Sequence, residues 1–169
     1  MSERNDDLRV LSVAGGVERS DRQSPGPGPE HRKLDVFIGT WITEGRTTAG
    51  PSTPSLEIVA SDVYEWAPGG FFVVHTAFGR IGDIDVGGVE VIGYEPESGR
   101  YRSQFFDSQG NLNTSELTVD AGVWTWRGER TRCTGTFSDE GRTQTAHHER
   151  TADGVNWEPS MEVRLRKVG

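Results

Sequence analysis

The chain has 169 residues, 33% of them hydrophobic and 26% charged, and a formal net charge of −8. That length holds one domain and leaves no room for a second of full size. The acidic balance argues against nucleic acid or an anionic membrane as partner, and the longest unbroken apolar run, Phe71 to Val74, is far too short to span a bilayer.

The first residues are polar and mixed in charge, and no apolar signal core follows them. This predicts a cytoplasmic protein. The single cysteine, Cys133, excludes an intrachain disulfide and a cysteine-only metal site. Residues 1–28 contain Gly15-Gly16 and a run of alternating Pro and Gly from Pro25, with no aromatic residue. Such a stretch buries too little apolar surface to offset its ordering entropy, so a flexible tail is expected. The cluster Leu8, Val10, Leu11 and Val13 leaves open a docked strand or lid over the domain at 29–169. Residues 1–40 carry six basic and seven acidic side chains and the remainder twelve and nineteen, so the acidity belongs to the domain.

Pro29 suits the first position of a short helix, and Glu30 suits its positive end. Leu34, Phe37 and Ile38 fall on one helical face, and Gly39 ends the helix. Beyond it the period becomes two. Strands are expected at Thr40–Thr47, Leu56–Trp66, Phe71–Phe78, Val89–Tyr94, Tyr101–Asp107, Thr114–Val119, Val123–Arg127, Thr131–Ser138, Thr143–Arg150 and Met161–Val168. Turn signals such as Ala67-Pro68-Gly69-Gly70 and Asp120-Ala121-Gly122 separate them. Asp83–Gly88 has a carboxylate pair without further metal ligands and reads as a loop. Connections this short force antiparallel neighbours, and ten hairpin-linked strands favour closure, which removes the exposed edges. The expected fold is all-β: an antiparallel up-and-down barrel of about ten strands with a short N-terminal helix.

The pieces Pro29-Glu30-His31, Gly39-Thr40-Trp41, Tyr64-Glu65-Trp66, Ile92-Gly93-Tyr94, Phe105-Phe106-Asp107, Phe137-Ser138-Asp139 and Asp153-Gly154, taken in order, resemble the bacterial family catalogued as domain of unknown function 1579. The Gly-x-Trp opening also resembles calycins, the lipocalin and fatty-acid-binding superfamily. That resemblance implies a calycin-like barrel whose Trp41 closes one end under a cation from the last strand, Arg164 or Arg166. The segment from Gly39 to Gly45 is shared with nitrobindins, which are haem-binding barrels. Their C-terminal pattern around the haem-ligating His is not found here, so no cofactor is carried over.

Four histidines are the first candidates for chemistry. His31, on the opening helix, is expected in solvent. His75 lies mid-strand on the face of Phe71, Val73 and Ala77. It reads either as a hydrogen-bonded core residue or as an acid, base or ligand in a greasy cavity. His147 and His148 face opposite sides, so at most one looks inward. No His-x-His pattern occurs, and no metal site is expected. Trp124 and Trp126 share a face and read as core or as a ligand platform. Cys133 lacks a local activating base and reads as a small hydrophobe.

Three functions follow. The first is binding of a small hydrophobic molecule, with Phe72, Val74, His75, Tyr94, Tyr101, Phe105, Trp124, Trp126 and His147 as lining residues. The second is a cofactor-independent enzyme, a cyclase or isomerase of natural-product biosynthesis, with His75 and either Glu116 or Tyr101 in acid–base roles. A haem-binding barrel with His147 or His148 as ligand is an alternative form of the first. The third is self-association, as a homodimer formed through exposed strand faces.

Overall fold

The computed structural model describes residues 25–169, so the Leu8–Val13 segment expected as a lid lies outside the described residues. The order of elements is a helix and ten strands. The helix α1 spans Pro29–Arg32 and continues as a 3₁₀ turn over Lys33–Val36. The strands are β1 Gly39–Thr47, β2 Glu57–Trp66, β3 Phe72–Ile81, β4 Ile84–Glu95, β5 Arg100–Asp107, β6 Leu112–Asp120, β7 Val123–Arg127, β8 Thr131–Ser138, β9 Thr143–Arg150 and β10 Glu158–Lys167. Each pairs antiparallel with the next, and β1 closes the barrel on β10 with Trp41 opposite Lys167. This is the up-and-down barrel that the alternating pattern and short turns predict. No helix among the described residues is long and apolar enough to cross a membrane.

Two stretches differ from expectation. Asp83–Gly88, expected as a loop, is almost wholly strand, because a two-residue turn at Gly82-Asp83 sets Ile81 directly opposite Ile84. Gly82 takes φ +59°, the left-handed value such tight hairpins need. The other is the expected cation over Trp41. Lys167 supplies it, with Nζ 4.7 Å from the ring centroid. Arg164 and Arg166 have the opposite parity on β10 and lie exposed.

The opening helix plugs one end of the barrel. Leu34 is 0% exposed and Phe37 1%, and burial of each contributes about 1.5–3 kcal/mol. Phe37 meets Trp124, Trp126 and Phe137 edge-on and stacks on Tyr64. Its carbonyl accepts a 2.7 Å hydrogen bond from Trp41 Nε1. Gly39 leaves this turn at φ +134°, where a Cβ would lie 2.9 Å from the Gly169 carbonyl oxygen. Tyr101 Oη donates to the Glu30 carbonyl at 2.7 Å, and Trp66 Nε1 donates to Asp35 at 2.9 Å. His31 is buried, contrary to the expectation of a solvated residue. Its Nδ1 accepts from Gly28 N–H at 3.0 Å, and its ring meets Phe71 and Tyr94 edge-on.

Candidate functional site

Alternation decides which side chains enter the barrel. On β3 the inward residues are Val73, His75, Ala77 and Gly79; on β2 they include Ala60, Asp62 and Tyr64; on β4, Gly88, Glu90 and Ile92. Register then brings three titratable groups together halfway along the barrel, since His75 pairs with Glu90 on one side and with Tyr64 on the other. Asp62, His75 and Glu90 are each 7–8% exposed.

Both ring nitrogens of His75 are engaged. Nδ1 lies 3.0 Å from Glu90 Oε2, and Nε2 lies 2.9 Å from Asp62 Oδ1. Thr43 Oγ1 donates to the second Asp62 oxygen. The imidazole stacks on Tyr64, with centroids 3.9 Å apart and planes 5° apart. For both contacts to be hydrogen bonds, two protons must be shared among the ring and the two carboxylates. Burial alone lowers the His75 pKa, but the hydrogen bonds and charges of Asp62 and Glu90 outweigh it, and the net shift is upward. With both ring nitrogens protonated, the unit is an imidazolium clamped between two carboxylates, with one net negative charge. Burial, then the Glu90 and Asp62 charges, raise the Tyr64 pKa well above its ordinary value, so its phenol stays protonated.

A second polar pair lies nearby on the inner wall. Cys133 Sγ and His148 Nε2 are 3.5 Å apart on facing strands β8 and β9. Burial depresses the His148 pKa to about 4 and raises the Cys133 thiol to about 12. The pair is neutral at pH 7, and the thiol is not an activated nucleophile.

The end opposite the plug is lined by small residues. A recess of about 300 Å³ opens there among Ala60, Ala77, Gly79, Val86, Phe105 and Asp107. The clamped histidine lies one inward step below it: Asp62 follows Ala60, His75 precedes Ala77, and Glu90 is directly opposite Phe105.

The structure brings together only part of the predicted site. His75 and Phe105 lie at the open half of the interior. Tyr94, Tyr101, Trp124 and Trp126 are inside but packed in the plugged half. Phe72 and Val74 have outward parity, and Phe72 is 50% exposed. His147 also faces outward, 3.2 Å from Glu162, which leaves His148 as the inward member of that pair. Glu116 lies on the outer face of β6, bound to Arg100 at 2.5 Å, and does not meet His75. Tyr101 is held by Glu30, also away from His75. The residues sequence reasoning missed are Asp62 and Glu90. Each shares a strand face with large apolar neighbours, Tyr64 and Ile92, and that shared parity was the available signal.

Over residues 26–167 the chain matches the family described as "Protein of unknown function (DUF1579)". It belongs to that family. Among solved structures, the crystal structure of Rv2717c from M. tuberculosis is similar, with a TM-score of 0.64 and 13% identity over 84% of this chain and 99% of that one. The S-type phycobiliprotein lyase CPES from Guillardia theta is also similar, with a TM-score of 0.52 and 9% identity over 85% of this chain and 99% of that one. At these identities the likeness is one of fold, a closed antiparallel barrel. No curated protein matches the chain. A barrel of this architecture, with polar groups under an open recess, is compatible with small-molecule binding.

Proposed function

We propose that the protein binds a small molecule with an apolar body and a hydrogen-bonding end. The body occupies the open half of the barrel against Phe105, Ala77 and Val86, and the polar end rests on Asp62, His75 and Glu90. One observation carries this reading: a clamped histidine directly beneath a recess of about 300 Å³ walled by Ala and Gly. Pockets of this kind pair apolar walls with a few groups that fix orientation. The polar floor refines the expectation of a purely hydrophobic ligand. Native mass spectrometry of the protein purified from its own host tests it. An adduct lost on denaturation, and absent in Ala77→Phe, is the expected result. An adduct retained in Ala77→Phe would place the ligand elsewhere.

An enzyme using the same cavity is the second reading. It is favoured by the histidine itself, whose two ring nitrogens each meet a carboxylate away from bulk water. Asp62 and Glu90 take the partner roles first expected of Glu116 and Tyr101. A cofactor-independent isomerase or cyclase remains the concrete form. Unchanged turnover of the identified ligand by His75→Gln would remove that role.

A further inference from the structure

Glu90 is 8% exposed, and its Oε2 is bound by His75 Nδ1. No donor among the described residues reaches its other oxygen, Oε1. Yet no sealed side-chain oxygen or nitrogen among them lacks a partner, so Oε1 opens onto the interior space. Asp62 differs, because both its oxygens are taken, by His75 and by Thr43. Glu90 therefore keeps one carboxylate oxygen that no described side chain binds, on an inward-facing side chain 11% exposed and one inward step below the recess.

Apart from the proton that His75 shares with its two carboxylates, no positive charge lies on the recess wall. The clamped unit has one net negative charge when His75 holds its proton, and Asp107 on the recess wall adds another. No Lys or Arg lines the recess, and neither Asp62 nor Glu90 is paired with a Lys or Arg among the described residues. Lys167, the inward cation of β10, sits at the other end on Trp41. His75 has no N–H to spare, since both ring nitrogens face carboxylates. The other nearby groups, Tyr64, Cys133 and His148, are neutral.

We infer that the barrel selects a ligand whose polar end is a hydrogen-bond donor, with an organic amine preferred over an alcohol and a carboxylate rejected. This rests on the ligand-binding reading above. An ammonium donates to Glu90 Oε1 and offsets the negative charge of the floor. A carboxylate brings a third negative charge and no donor into a space where water screens poorly. The mode is the reverse of holding an acid by an inward arginine.

The test uses three probes with one ring and different ends: benzylamine, benzyl alcohol and benzoate. Binding at pH 7 is read from amide shifts of Ala77, Gly79 and Phe105 in the full chain. Benzylamine is expected to bind at least tenfold more tightly than benzoate, with the alcohol between them. Glu90→Gln is expected to shrink that ratio to under threefold, and Asp107→Asn to reduce it less. The wild-type ranking stands alone if Glu90→Gln does not fold. Benzoate binding as tightly as benzylamine, or an amine preference unchanged in a folded Glu90→Gln, overturns the inference and leaves the ligand-binding reading intact. Silence of all three residues to all three probes overturns both.

Discussion

The two halves of the barrel interior solve the same packing problem with opposite materials. At the plugged end Leu34, Phe37, Trp41, Trp124 and Phe137 fill the space with large, interlocked rings. At the open end Ala60, Ala77 and Gly79 leave a recess, and the groups below it are Asp62, His75 and Glu90. Tyr64 joins them, with Phe37 stacked on one side and His75 on the other. The aromatic half secures the fold, so the other half can tolerate buried charge, which costs stability unless closely paired.

The sharpest way to break this contrast is to empty each half in turn. Phe37→Ala is expected to lower the unfolding free energy by about 3–5 kcal/mol, as a large cavity in a tight core does. Phe105→Ala, beside an existing recess, is expected to cost less than about 2 kcal/mol. Urea titrations that give equal losses would erase the distinction.

The two interior histidines respond to pH in opposite directions. His148 is depressed to about 4 from 6.5, so the unfolded chain takes up its proton first as pH falls. The native state then loses roughly 3 kcal/mol between pH 6.5 and 4, a slope that His148→Phe removes. His75 is raised, so its contribution is fully present below pH 6.5 and is lost as pH climbs through its higher folded value. The difference between wild type and His75→Gln, followed from pH 6 to pH 9, isolates it.

A smaller effect separates the two carboxylates. Glu90→Gln and Asp62→Asn each keep the shape and remove a charge, costing roughly 1.5–3 kcal/mol through weakened charge-assisted hydrogen bonds. Each is expected to bring the His75 pKa down, read from its ring-nitrogen NMR shifts. A pKa unmoved by either change would mean the clamp is not electrostatic. The smallest expected effect is at the plugged end. Lys167→Met loses about 0.5–1 kcal/mol of contact with Trp41. Arg164→Met and Arg166→Met stay within about 0.5 kcal/mol, as exposed substitutions do.

The strand count, the meander order and the helical plug were legible because the signals were local: Pro29 before the helix, Gly39 after it, and turn residues between alternating runs. The pairing of faces was harder. In β3 both sides are apolar, Val73 and Ala77 inward but Phe72, Val74 and Phe78 outward, so hydrophobicity alone did not tell wall from cavity. Asp62 and Glu90 share strand faces with Tyr64 and Ile92, but it is the register that sets them on either side of His75. That register depends on residues far apart in the chain. The same limit applies to Lys167, whose place over Trp41 follows from how β10 meets β1, one and three positions beyond the arginines that the resemblance pointed to.

That β1–β10 seam also constrains how the barrel can be assembled. Trp41 and Lys167 must find each other across nearly the whole domain, a contact of very long sequence separation. Hairpins β2 to β9 can each form from neighbouring residues, so closure is the step that bears the largest loop entropy and limits the folding rate. Until it happens, β1 and β10 are both open edges able to recruit a strand from another chain. A nascent or partly unfolded barrel is therefore most vulnerable to aggregation at this seam, and a circular permutant that joins its two sides covalently moves the open edges to the new pair of terminal strands.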